Sequence, residues 1–128
     1  MATTSAEDID QDGETEYLLY NATSFTVFES IGGRCVAAFA RNPVSGSVYQ
    51  IIGTQTAYAG SETEEEGTEH VADGSIGARR TSAFKDWFTD GSSGTKQFIN
   101  SLYAVVPSGS NGWIFTAPGS DITKTITL

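Results

Sequence analysis

The chain has little of what catalysis and export require. Its 128 residues include one cysteine, one histidine and 7 basic residues against 16 acidic ones, a net charge of −9. A single cysteine, Cys35, excludes an internal disulfide, and a single histidine, His70, leaves nucleophilic catalysis one imidazole base. The acidic balance argues against nucleic acid and against an anionic membrane surface as partners. No secretory signal or membrane-spanning run is visible, so we expect a soluble protein.

Motifs of catalysis and of cofactor binding are missing as well. No serine lies in Gly-x-Ser-x-Gly, and residues 91–96 lack the Gly-Lys-Ser/Thr end of a phosphate-binding loop. Asp86, Asp90 and Asp121 show no spacing that marks paired catalytic carboxylates. We therefore predict a protein that is not an enzyme and that has no organic cofactor.

The densest apolar alternation spans two predicted strands, residues 34–41 and 47–58. The loop between them, residues 42–46, has a proline and a glycine where a turn favours them, which indicates a hairpin. Symmetric closure sets Phe39 opposite Tyr49 and Ala40 opposite Val48. Because both faces of the hairpin are largely apolar, we expect it to be central in a sheet and covered on both sides.

Order is expected to begin at residues 17–20, and further strands are indicated at residues 24–29, 102–106, 113–116 and 121–128. The last of these alternates Ile122, Ile126 and Leu128 with three threonines, which predicts one buried face. Short helical turns are predicted at residues 83–88 and from residue 95. Residues 17–128 are therefore expected to form one all-β domain, an antiparallel β-sandwich or jelly-roll-like barrel with one or two short helices.

Residues 1–16 hold 6 of the 16 acids and few apolar groups, which predicts a flexible N-terminal arm. Within it Asp8, Asp10, Asp12 and Gly13 match the opening of a calcium loop. The twelfth position is Leu19 instead of a bidentate glutamate, so a solvated arm competes with a Ca²⁺ site.

A second acidic run lies in residues 59–78, a glycine-punctuated segment that is predicted to be a long loop. Glu64, Glu65, Glu66 and Glu69 beside His70 offer cation ligands, although an exposed charged loop is the simpler interpretation. The basic pair Arg79 and Arg80 follows and offers a contact for the acidic residues of a neighbouring copy.

Aromatic residues provide the remaining candidate for binding. Trp87 and Trp113, with several tyrosines, are sufficient for a platform on which sugar rings stack, while burial in the core is the alternative. Of the aromatic residues, Trp87 is the one most expected at the surface, because Lys85 and Asp86 precede it.

In composition the chain resembles small all-β structural proteins of virus particles, with its acidic arm, its Gly/Ser/Thr-rich strands and its lack of catalytic residues. The resemblance carries no residue-by-residue correspondence. It implies a decorating, cement or accessory subunit located in a virion, in contact with other protein subunits and present as a homo-oligomer. The alternative hypothesis is a free, lectin-like glycan-binding module that uses exposed tryptophan and tyrosine side chains.

Overall fold

A computed structural model describes residues 1–9, 11, 13–53, 82–84, 86–89, 95–98 and 101–128. Within these residues the protein is all-β and has no helix. The strands, in chain order, are Thr3–Glu7 (β1), Glu16–Tyr20 (β2), Ser24–Phe28 (β3), Cys35–Arg41 (β4), Val48–Ile52 (β5), Trp87–Thr89 (β6), Thr95–Gln97 (β7), Ala104–Pro107 (β8), Gly112–Thr116 (β9) and Thr123–Thr127 (β10).

Every strand pairing is antiparallel, as predicted. Strands β1 to β5 form one sheet in sequence order, β10, β9 and β8 form a second, and β6 and β7 form a short hairpin. The connections between consecutive strands of the first sheet are short, and antiparallel neighbours are the expected result. Among the described strands, β1 and β5 are the outermost of the first sheet, so the arrangement of the described residues is sandwich-like and not a closed barrel.

The core lies between the two larger sheets. Leu19 and Phe28 of the first sheet are buried against Trp113 and Phe115 of the second. The ring of Tyr17 meets the Trp113 ring edge-on, with centroids 5.2 Å apart. Full burial of such side chains stabilises the fold by about 1.5–3 kcal/mol each. The contacts among these side chains define the faces at which the two sheets meet.

The central hairpin is confirmed, but its register differs from the prediction. Arg41 lies opposite Val48 and Phe39 opposite Gln50, with a bulge after Ala38. Six residues, 42–47, therefore lie between the last paired residues of the two strands instead of the predicted five, and within them the Asn42 N–H donates to Ser47 O at 2.8 Å. The Asn42 side-chain oxygen also accepts the backbone N–H groups of two residues within this loop. These hydrogen bonds from the loop to the Asn42 side chain stabilise the longer turn. The register of the hairpin therefore differs from the predicted one by one residue.

Only one arm of the hairpin is central. Cys35, Val36 and Ala38 of β4 are buried, and they contribute to apolar clusters on both faces of the sheet. Strand β5 lies at the edge of the sheet with its first four residues exposed, so the prediction of a covered β5 is wrong. Apolar alternation identified the strand but carries no information on which neighbours it has. The predicted continuation over residues 54–58 lies outside the described residues.

The prediction of a flexible arm is wrong for its first half. Thr3–Glu7 pairs with Glu16–Tyr20 along the whole of β2. Ladder hydrogen bonds need no apolar side chains, so a polar segment can add to a sheet edge. Glu16 is 1% exposed and its carboxylate accepts the Ile9 N–H at 2.6 Å, which fixes the end of this segment.

The helical predictions are also wrong within the described residues. Trp87–Thr89 and Thr95–Gln97 are antiparallel strands. Spacing over five or six residues does not distinguish a helical face from a short strand. The C-terminal alternation is confirmed, because Thr123, Thr125 and Thr127 are exposed and the residues between them are half-buried.

Removal of residues 1–7 tests whether β1 belongs to the fold. We expect the deletion to lower the free energy of unfolding by about 1–3 kcal/mol, because β2 loses its ladder partner. Urea denaturation of the truncated and full chains measures the difference. The control is the full chain with Glu7→Gln and Asp8→Asn, which removes the charge and keeps the strand. Equal stability of the full and truncated chains would show that β1 is not part of the folded unit.

Candidate functional site

Lys124, in the middle of β10, points its ammonium group into the protein. Its Nζ lies 3.0 Å from Gly32 O, 2.8 Å from Gly33 O and 2.8 Å from Phe84 O. Asp86 Oδ2 is 2.6 Å away, and the two side chains are 12% and 15% exposed. We call Lys124, Asp86, Tyr103 and the three carbonyl groups the Lys124 cluster.

Tyr103 completes the Lys124 cluster from the side of β8. Its hydroxyl donates to Asp86 Oδ2 at 2.6 Å, and Lys124 Nζ lies 4.8 Å from the centre of its ring. The Asp86 carboxylate thus accepts from both a phenol and an ammonium group. Such charge-assisted bonds are roughly twice as strong as neutral ones.

The local backbone is shaped to admit the lysine. Gly33 has φ +52°, and a Cβ there would lie 3.1 Å from Lys124 Nζ and 3.2 Å from Tyr103 Cδ1. Phe84 has φ 62°, a left-handed conformation that is unfavourable for a bulky residue. Its ring stacks on Phe28 with centroids 6.2 Å apart, and its carbonyl accepts from Lys124. These two contacts offset a backbone cost on the order of 1–3 kcal/mol.

The electrostatics of the cluster favour a structural role. Burial lowers the pKa of Lys124, and Asp86 acts in the opposite direction. Burial and the hydrogen bond to Asp86 raise the pKa of Tyr103. Four oxygen acceptors surround the Lys124 nitrogen, so its N–H donors are directed into the protein. The nitrogen is thus enclosed by its partners and is not presented to solvent.

Cys35 is equally unsuited to chemistry. Its thiol is 1% exposed, and burial raises its pKa to about 11. A reactive thiol needs a lowered pKa and access to solvent. Cys35 has neither, in agreement with its interpretation as a small core residue.

A shallow groove lies on the outer face of the first sheet. Its volume is about 330 Å³, and it is lined by Asn21, Ala22, Thr23, Ser24, Phe25, Phe39, Ala40, Arg41 and Val48. A row of rings runs along it, with centroid distances of 6.0 Å from Tyr20 to Phe25 and 6.2 Å from Phe25 to Phe39. We call this the aromatic groove; it combines apolar ring surface with an exposed guanidinium group.

Beside the groove, the hairpin exposes large apolar side chains. Val44 is 95% exposed, Val48 61%, Tyr49 59% and Ile51 64%. We call these four residues the β5 surface. Strand β5 contains no charged residue, and residues 30–61 contain no aspartate or glutamate although the chain has 16. The β5 surface is therefore both apolar and remote in sequence from the acids.

The predicted ligand residues remain untested. Asp8 is exposed, and its Oδ2 accepts the Gly13 N–H at 3.2 Å. Asp10 and Asp12 lie outside the described residues, and the residues that are described contain no cluster of three metal ligands. The Ca²⁺ site stays a prediction. The other acidic run and its histidine, within residues 59–78, and the Arg79–Arg80 pair also lie outside the described part of the chain.

Of the two tryptophans, Trp113 requires a correction. It is 5% exposed and its Nε1–H donates to Leu18 O at 2.9 Å, so its ring offers no face to a sugar or to a partner. The polar tip of a buried tryptophan needs an acceptor, and the neighbouring sheet supplies one. Trp87 lies in β6 opposite Gln97, and its predicted role in binding stays a prediction.

Sequence reasoning missed the Lys124 cluster, although one signal was present. Lys124 has the same parity as Ile122 and Ile126 in an alternating strand, which places a charge on the buried side. A charge on the buried side of a strand requires partners that compensate for the loss of water. Nothing in the sequence indicated that Asp86 and Tyr103 would supply them.

Replacement of Lys124 tests the Lys124 cluster. We expect Lys124→Met to lower the free energy of unfolding by about 2–5 kcal/mol, because Asp86 is left without its counter-charge. Thr125→Met, one position along on the exposed face, is the matched control and should change stability by less than about 1 kcal/mol. Combination with Asp86→Asn in a double-mutant cycle, followed by urea denaturation, should give a coupling energy of about 1–3 kcal/mol. Additive losses would contradict the cluster.

The thiol of Cys35 predicts a dependence of stability on pH. Its folded pKa of about 11 lies above the ordinary value of 9.0, so the folded state retains the proton more strongly. The stabilisation is complete below pH 9 and is lost as the pH rises towards 11, by up to roughly 2–3 kcal/mol. We expect the stability difference between wild type and Cys35→Ala to shrink by that amount across this range. A constant difference in chemical denaturation would contradict the prediction.

Comparison with protein-family models, with curated proteins and with solved structures finds no match to this chain. No helix in the described residues is long and apolar enough to span a membrane. Any assignment of function therefore depends on the geometry of the β5 surface, the aromatic groove and the Lys124 cluster.

Proposed function

We propose that the chain is a non-enzymatic structural protein, a small decorating, cement or accessory subunit of a virus particle or similar assembly. The observation that carries the proposal is the β5 surface. Its three strand residues, Val48, Tyr49 and Ile51, are each about 60% exposed on an uncharged edge strand. An exposed apolar edge is a site at which another chain can add, through backbone hydrogen bonds and side-chain contacts.

The other edges of the two larger sheets differ from β5. Strand β1 carries Glu7, β8 carries Pro107 and β10 carries Lys124. Charged residues and proline are the usual means by which sheet edges avoid pairing with other chains. Among these four edges only β5 has neither, which supports a partner at β5.

The interior of the protein supports an architectural role. Lys124 is engaged by four oxygen atoms, and Cys35 is enclosed in the core. Neither group is disposed to act on a substrate, while both stabilise the contact between sheets. A subunit that reinforces an assembly must itself be stable, and these contacts between the two sheets contribute to that stability.

A second candidate function is glycan binding, favoured by the aromatic groove. Phe25 is 37% exposed and lies in a row with Tyr20 and Phe39, while Arg41 is exposed beside them. Ring faces beside a polar rim suit the stacking of a sugar. This candidate replaces the tryptophans of the earlier expectation with phenylalanines.

Incorporation into a particle tests the structural role. The chain is co-expressed with the proteins encoded beside its gene, particles are purified from the cells, and the copy number of the chain in them is measured by quantitative mass spectrometry. We expect stoichiometric incorporation, reduced at least tenfold by Val48→Lys, which places a charge in the contact. Val106→Lys, on an equally accessible residue of β8 that is 51% exposed, should leave it unchanged.

The result that would contradict the structural role is the absence of the chain from purified particles. A glycan array then decides on the second candidate. Binding that is lost in Phe25→Ala and retained in Val106→Lys would establish the aromatic groove as a glycan site. An array without hits would remove it.

A further inference from the structure

We propose that the partner at β5 is a second copy of this chain, paired antiparallel through β5 about a twofold axis at Tyr49. The proposal rests on the proposed function, because it names the partner of the same surface. Twofold dimers are the commonest closed assemblies, and their contacts are self-complementary.

Some backbone N–H and C=O groups of β5 point away from β4, towards the position that a further strand would occupy. The Asn42 N–H donates to Ser47 O, so the pair of residues 42 and 47 is hydrogen-bonded. Hydrogen-bonded and non-bonded pairs alternate along an antiparallel ladder, so Tyr49 bonds to Ala40 while Val48 and Gln50 direct their N–H and C=O groups outward. Two antiparallel copies centred on Tyr49 then pair Val48 of each with Gln50 of the other, through four hydrogen bonds.

The bulge fixes the centre of this pairing. It inserts Ile51 between the residues that oppose Ala38 and Phe39, so the regular part of β5 is Val48–Gln50. The middle residue of that part is Tyr49. Opposite residues of a non-bonded pair have Cα atoms about 4.5 Å apart, which brings the two Tyr49 side chains into direct contact.

The charge distribution permits this contact between two acidic chains. Each copy carries −9, and like charges oppose association wherever acids face each other. Residues 30–61 contain no acid, and β5 contains no charge at all. The two strands that meet in this contact therefore carry no carboxylates of their own.

The first measurement is the mass of the full chain in solution, by analytical ultracentrifugation over a range of concentrations. We expect a concentration-dependent dimer. Tyr49 is 59% exposed, so its substitution leaves the core intact. Tyr49→Asp and Tyr49→Lys should each weaken dimerisation about tenfold, because the contact between the two tyrosines is lost and like charges then oppose each other across the axis.

The decisive step is to mix the two variants. Tyr49→Asp and Tyr49→Lys should form a heterodimer, which native mass spectrometry identifies by its mass, because Asp and Lys now oppose each other. Restored association of the two variants is expected only if residue 49 of one copy contacts residue 49 of the other. Tyr49→Cys should also form a disulfide-linked dimer on oxidation, while Val44→Cys, on the exposed loop of the hairpin, should not.

A monomeric wild type, or a dimer that survives both charged variants, would overturn the inference. These outcomes are distinguishable from failure of the proposed function. A chain that incorporates into particles while staying monomeric in solution retains its structural role and loses only the self-pairing. A chain that dimerises as described yet is absent from particles retains the self-pairing and loses the structural role.

Discussion

The structure depends on one ammonium group surrounded by oxygen atoms. Lys124 of the second sheet binds the carbonyl groups of Gly32 and Gly33, in the connection between β3 and β4 of the first sheet. It also binds Phe84 O and Asp86, which precede β6. A charge in this position is tolerated only when all its donors find acceptors, so the arrangement of three chain segments is fixed together. Apolar packing brings the sheets together, and Lys124 sets their relative position.

The fold class followed from the sequence, while the neighbours of each strand did not. Alternation on β10 and the turn at Asn42 specify strands and a hairpin from local information. The position of β5 at an edge, and the addition of Thr3–Glu7 to the sheet, depend on which strands lie next to each other. Composition made Thr3–Glu7 resemble an arm, because backbone pairing leaves no trace in side-chain polarity. The Lys124 cluster could not be predicted either, because its members are up to 92 residues apart in the sequence.

The interior of the protein and strand β5 differ in how their side chains are partnered. Two polar groups of the interior, the Tyr103 hydroxyl and the Trp113 indole, find acceptors within the chain. Strand β5 instead exposes apolar side chains to solvent. The proposed partner contact rests on that edge, and the aromatic groove beside it extends the apolar surface.

The long separation of the contacts between the sheets has a consequence for how the chain folds. Lys124 reaches Gly32 over 92 residues, and Trp113 reaches Leu18 over 95. Contacts of this range slow folding, because a long loop must close before they form. The meander of β1 to β5 can pair as soon as it has been synthesised, but the face that meets Phe115 then stays uncovered. Until the strand that contains Phe115 has been synthesised, this apolar face has no covering sheet, and transiently exposed apolar surface of this kind is prone to aggregation.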